Sequence, residues 1–176
     1  INYSMSLAQL LFAAVASGPE AVRVVLAQHG DTTRYINEQC GPSGTTALMF
    51  AAQVNNLATV QLLLEHGASV HPVSDHGAPA LMFAARAGSP AVVELLLNAG
   101  ASPDATRIDG TSVLLLAARH GHVGVVHLLI ARGCRDRPND DNVTALVASA
   151  QGGHLDTVTA LLDAGISDVH ARTKKV

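Results

Sequence analysis

Thr46-Ala47-Leu48-Met49-Phe50-Ala51-Ala52 returns as Pro79-Ala80-Leu81-Met82-Phe83-Ala84-Ala85, and again as Ser112-Val113-Leu114-Leu115-Leu116-Ala117-Ala118. Behind each copy stand a leucine-rich triplet and a glycine: Leu62-Leu63-Leu64 with Gly67, Leu95-Leu96-Leu97 with Gly100, Leu128-Leu129-Ile130 with Gly133. The glycines step by 100 − 67 = 33 and 133 − 100 = 33 residues. A fixed period of this length marks stacked supersecondary units, none of which can bury its apolar face alone.

The pattern extends in both directions. Downstream, Thr144-Ala145-Leu146-Val147-Ala148-Ser149-Ala150 repeats the motif, and Ala160-Leu161-Leu162 with Gly165 repeats the triplet, after a step of 165 − 133 = 32 residues. Upstream, Leu10-Leu11-Phe12-Ala13-Ala14 and Val24-Val25-Leu26 form a first copy, separated from the second by 51 − 13 = 38 residues. Five repeats result, at about residues 4–41, 42–74, 75–107, 108–139 and 140–171, in one domain over residues 1–176.

Each repeat reads as two short helices. Thr46, Ser112 and Thr144 hold the slot where a hydroxyl accepts from free N–H groups at a helix start. Pro79 replaces them in the third repeat, where those N–H groups lack helical partners in any case. Ser89-Pro90 and Gly18-Pro19 are start signals for second helices. Gly30, Gly67, Gly100, Gly133 and Gly165 are expected to end them in a left-handed conformation. Phe12, Phe50, Phe83, Leu116 and Ala148 fall in one column and Leu48, Leu81, Leu114 and Leu146 in another, and both are read as core.

This layout resembles the ankyrin repeat over about Ser4 to Ala171. Gly121-His122 and Gly153-His154 match that family's inter-helix turn, and Gly67-Ala68-Ser69-Val70 and Gly100-Ala101-Ser102 match the start of its hairpin. The resemblance implies an all-α solenoid of stacked helix pairs with projecting β-hairpin loops. The family's motif proline is replaced by Ala47, Ala80, Val113 and Ala145. Its motif histidine is replaced by Leu11, Met49, Met82, Leu115 and Val147, which adds apolar contact between layers in place of a hairpin tie.

Composition narrows the function. The chain is 48% hydrophobic but 3% aromatic, so alanine and leucine carry the core. A net charge of −3 gives no electrostatic footprint for nucleic acid or an anionic membrane. No apolar run reaches the roughly 18 residues of a membrane span. Ile1 to Leu7 lacks the basic start and apolar stretch of a signal peptide. Ile1 is not an initiator methionine, so the chain reads as a piece of something longer. Cys40 and Cys134 fall in loops three repeats apart, beyond the ~7 Å between Cα atoms that a disulfide allows. Two free thiols point to a cytoplasmic setting, with the nucleus open as well.

Chemical constellations are thin. His120, His122 and His127 lie close in sequence, yet a structural zinc site needs about four ligands in tetrahedral array. There is no nucleophile elbow or phosphate loop. Asp140-Asp141 reads as a solvated tip, and neither cysteine has a histidine and an orienting acid beside it. No catalytic residue, cofactor or metal is assigned.

Binding is the stronger reading. In ankyrin stacks partners touch the hairpin tips and the exposed side of the first helices. Carried over by position, these are Asp75, His76 and Ala78; Ile108, Asp109 and Thr111; and Asp140, Asp141 and Val143 at the tips. On the helices they are Arg86, Arg119, His120 and Gln151. Arg86 and Arg119 would floor a groove with acidic tips at its rim, able to clamp an extended peptide carrying both signs. The plainer alternative pairs these arginines with Asp75 and Asp109, or with water, and surface pairs of that kind contribute little. Ile108 is either a contact residue or a prop for the next hairpin.

The long loop from Asp31 to Ser43 holds Tyr35 and Ile36, which are expected to fold back over the first repeat or to anchor a partner, with the covering role favoured. The last repeat carries Leu155, Val158, Leu161 and Leu162 without a specialised cap, so more repeats, another domain or a second chain is expected against it. The function expected is a non-enzymatic module binding a protein or peptide. The alternative is a structural or oligomerisation domain within a larger channel, enzyme or signalling protein, packed against other domains of its own chain.

Overall fold

The computed structural model describes residues 5–166. Ten α-helices follow in five pairs: α1 (Leu7–Ser17) with α2 (Pro19–Gln28), α3 (Ala47–Gln53) with α4 (Leu57–Glu65), α5 (Ala80–Ala87) with α6 (Pro90–Asn98), α7 (Val113–Arg119) with α8 (Val123–Ala131), and α9 (Ala145–Gln151) with α10 (Leu155–Asp163). The odd-numbered helices stack in one row and the even-numbered helices in a second.

The caps act as the local chemistry requires. The Thr46, Ser112 and Thr144 hydroxyls accept from the N–H groups of Met49, Leu115 and Val147 at 3.3, 3.1 and 3.2 Å. Pro79 begins α5 with no side-chain cap. Asn56 and Ser89 open α4 and α6 in the same manner. Gly67, Gly100, Gly133 and Gly165 are left-handed as expected. Gly30 is not, because α2 already stops at Gln28 with His29 as its cap.

The core lies between the two rows. Leu11, Leu48, Leu81 and Leu114 are closed off from solvent, as are the alanine pairs Ala51-Ala52, Ala84-Ala85 and Ala117-Ala118, whose small side chains let helices approach closely. The apolar residues in the motif-histidine slot, Met49, Met82 and Leu115, are buried here too. Leu146 in the last pair is only partly buried.

The projecting loops are slighter than hairpins. Among the described residues each is closed by at most one antiparallel bridge: Gly41 with Thr45, Val73 with Pro79, and Thr106 with Ser112. The fourth loop is closed instead by Asn139 and Val143, with Asp136 accepting from Ala145 and Leu146 N–H at 2.6 and 3.1 Å. Successive loops are joined tip to tip by single backbone bonds: Asp75 N–H to Ser43 carbonyl, Ile108 N–H to His76 carbonyl, and Asp140 N–H to Asp109 carbonyl.

The long first loop covers, as favoured from the sequence. Tyr35 and Ile36 are buried, and the Tyr35 hydroxyl donates to the His29 carbonyl at 2.9 Å. Thr32 donates to the His66 carbonyl at 3.0 Å, and Ser69 N–H donates to Asn37 at 2.7 Å, so the loop also fastens the first repeat to the second. Among the described residues no helix is long and apolar enough to cross a membrane.

Candidate functional site

A groove of about 480 Å³ runs along the stack between the projecting loops and the first-helix row. Its floor is Phe12, Phe50, Met82, Phe83 and Leu116. The loops supply one wall, including Pro42, Ser74, His76, Ala78 and Arg107, and Gln53 and Arg86 stand opposite at the helix ends.

This corrects the expected core. Phe12, Phe50 and Phe83 are half-buried and line the groove, whereas Leu48 and Leu81, two residues earlier in the motif, are closed off. At ~3.6 residues per turn, two residues correspond to a turn of roughly 200° about the helix. Leucine therefore points between the rows while phenylalanine points into the groove. The column narrows along the stack, since Leu116 and Ala148 are buried. Phe12 and Phe50 stack with centroids 4.8 Å apart and planes inclined by 14°. Gly41 passes so close under the Phe12 ring that any side chain there would collide with it.

The groove is cationic in a chain of net charge −3. Arg86 and Arg107 line it, and no aspartate or glutamate does. Arg86 and Arg119 sit at the C-terminal turns of α5 and α7, where a cation also complements the helix dipole. Neither has an ion pair among the described residues, so pairing with Asp75 and Asp109 does not occur. Asp109 instead faces Arg107 at 3.9 Å. Burial pushes the Asp109 carboxyl up, but the Thr111 N–H and hydroxyl and the Arg107 charge outweigh it and hold the group below its usual range. The buried Arg107 Nε has no hydrogen-bond acceptor among the described residues.

One layer on, His120 stacks against His122 with centroids 5.9 Å apart. Burial lowers the His120 pKa, and the neighbouring Arg86, His122, Arg119 and His154 lower it further. The turn histidines have a structural task. His122 Nε2–H donates to the Arg86 carbonyl at 3.0 Å, and His154 Nε2–H donates to the Arg119 carbonyl at 3.1 Å. Each ring lies over a glycine of the preceding repeat, Gly88 or Gly121, where a Cβ would come within 2.5 Å of it. Among the described residues no three His, Cys, Asp or Glu side chains gather as metal ligands.

The repeat pattern, the paired helices, the looped fingers and the turn histidines all belong to one scheme. The family model for ankyrin repeats matches residues 10–107 and 81–173. The chain belongs to the ankyrin repeat family. No curated protein matches it.

Ankyrin repeats are generally protein–protein interaction modules. Of the positions selected on that ground, His76, Ala78 and Arg86 meet in the groove. Asp75 is exposed at its tip, and Ile108 projects with 75% of its surface free. The Ile108 backbone props against the preceding finger through its N–H bond to the His76 carbonyl, while its side chain stays open. Asp109, Arg119 and His120 are exposed one layer on, and Asp140, Asp141 and Gln151 are exposed beyond them. Val143 is half-buried. Thr111 is a correction: at 1% exposure it is interior and offers no side chain to a partner.

The residues missed from the sequence are the phenylalanines, Leu116 and Arg107. One signal was present, because all three phenylalanines of the chain occupy a single repeat slot. The two thiols are free. The Cys134 thiol donates to the Pro103 carbonyl at 3.0 Å, and burial, helped by Asp104, pushes its pKa up to about 12. A nucleophile needs the thiolate, so this thiol is unsuited to catalysis.

Proposed function

We propose that this ankyrin repeat domain binds a protein partner by taking an extended segment into the groove floored by Phe12, Phe50, Phe83 and Leu116. The observation that carries the reading is the half-exposure of the three phenylalanines in one continuous apolar floor. Exposed apolar surface arranged in a groove and rimmed by polar groups marks interaction sites. The finger-tip residues Asp75, His76 and Ile108 flank the segment. The domain acts without catalysis, cofactor or metal, in a cytoplasmic or nuclear setting, and neither binds nucleic acid nor inserts into a membrane.

The test is selection of a displayed library of random peptides about twelve residues long on the intact chain, with binding followed by NMR of methionine methyl groups. Met82 lines the groove, whereas Met5 and Met49 do not. Enriched peptides that shift Met82 and leave Met49 in place would support the reading. Failure to enrich any peptide that moves Met82 would sink it.

A second reading has its own observation. Leu155 is 74% exposed on the last helix pair, with Leu162 exposed beside it, as a domain packed within a larger channel, enzyme or signalling protein would require.

A further inference from the structure

The groove is apolar along its floor and positive along its walls, in a chain whose acids outnumber its lysines and arginines by 14 to 11. Two cations line it, at Arg86 and Arg107, and His76 stands with them. Arg86 carries no ion pair among the described residues, and Arg107 leaves its buried Nε without an acceptor. Beyond Arg86 the positive charge continues through Arg119, close enough for both arginines to depress the His120 pKa. The acidic tip residue Asp109 lies 3.9 Å from Arg107 and offsets part of its charge while also accepting from the Thr111 N–H, so Arg86, which has no ion pair among the described residues, is the stronger cation of the wall.

We infer that the segment taken up by this groove is an acidic–apolar peptide, whose aromatic or branched aliphatic side chains lie on Phe50 and Phe83 while its aspartates or glutamates meet Arg86 and Arg107. The inference rests on the peptide-binding reading given above and adds the chemistry of the occupant. From Phe12 to Leu116 the floor crosses three layer steps of ~8–10 Å, which an extended chain at ~3.3 Å per residue covers with about eight residues. Carboxylates suit the arginines because the planar guanidinium pairs with them through parallel N–H donors. Phosphate is the weaker fit. Of the three hydroxyls that line the groove, Thr45 already donates to the Pro42 carbonyl and Ser74 is buried and bonded to Ala78 N–H, which leaves Ser43 as the exposed one.

Peptides selected on the wild-type chain would be sequenced and compared with those selected on Arg86→Glu and on Arg86→Glu/Arg107→Glu, each first matched to the wild type in helicity and melting. Arg86 is exposed, so the single variant keeps the test alive if the double variant folds poorly. The expected result is enrichment of Asp and Glu beside Phe, Leu or Ile on the wild type. On the variants the bias reverses towards Lys and Arg, and the wild-type peptides bind the single variant about tenfold more weakly at low salt. Replacing the acids of one selected peptide by amides lowers its affinity for the wild type by a similar factor. Peptides that shift Met82 but carry no acidic bias, or that bind the wild type and Arg86→Glu alike, overturn this inference while leaving the groove as a binding site. Preference for phosphoserine over glutamate in a synthetic copy overturns the choice of carboxylate. Absence of any peptide at the groove removes both readings together.

Discussion

Leu81 and Phe83 stand two residues apart in one motif and meet opposite fates. Leu81 is closed between the two helix rows, while Phe83 lies half-open on the groove floor. The same contrast separates Leu48 from Phe50 in the repeat before. One short helix thus contributes its leucine to stability and its phenylalanine to a surface. The contrast teaches that periodicity identifies which residues are equivalent, but not whether a column faces the interior.

The sharpest way to break this contrast is to truncate both members. Leu81→Ala should cost about 2–5 kcal/mol, the range for emptying a fully packed site. Phe83→Ala should cost less, roughly 2 kcal/mol, because a half-buried ring already spends part of its surface in water. Urea unfolding of the two variants checks the order. Equal losses would return Phe83 to the core and close the groove as a site. Next comes the inter-layer tie. His122→Ala removes a hydrogen bond and the ring over Gly88, and should cost about 1 kcal/mol. That loss should be confined mainly to the junction between α5 and α7, which hydrogen exchange would locate.

The smallest effect concerns charge. The folded-state pKa of His120 lies below its ordinary 6.5. The folded chain therefore binds fewer protons than the unfolded one in the window just below that value, and stability falls as pH drops through it. His120→Gln should flatten this part of the melting-temperature profile between about pH 7 and 5. Arg86→Gln should raise the His120 pKa in an NMR titration. A titration that Arg86→Gln leaves unmoved would separate the arginine from the histidine cluster and weaken the case for a continuous positive wall.

Much of the fold was legible because its signals are local. Thr46, Ser112 and Thr144 cap helices through contacts three residues away, and Gly67, Gly100 and Gly133 take the left-handed turns their positions require. The period then supplied the stacking order. The groove was less legible, because the exposure of Phe50 depends on how closely the next finger folds over it, and that involves Ser43, Ser74 and Ala78 from two different loops. Arg107 was overlooked for a related reason. It sits one residue before the tip positions and reaches the groove only because its finger folds against the one before. Thr111 erred in the other direction, since a residue can stand beside a tip in sequence and still be turned inward.

The histidine–glycine ties bear on how such an array can grow. Each needs a glycine in one repeat and a histidine in the next: Gly88 with His122, and Gly121 with His154. The fourth repeat owns both halves, a histidine facing back and a glycine facing forward, and Gly153-His154 gives the fifth the same pair. The second and third repeats meet differently, with Asn55 and Ser89 in the corresponding slots. A tandem duplication of the fourth repeat would therefore mate with itself and with both neighbours. Duplication of the second would set Asn55 against a neighbour built to meet it without a histidine, and the tie would not propagate. Recombination can lengthen this molecule most readily from its fourth or fifth unit.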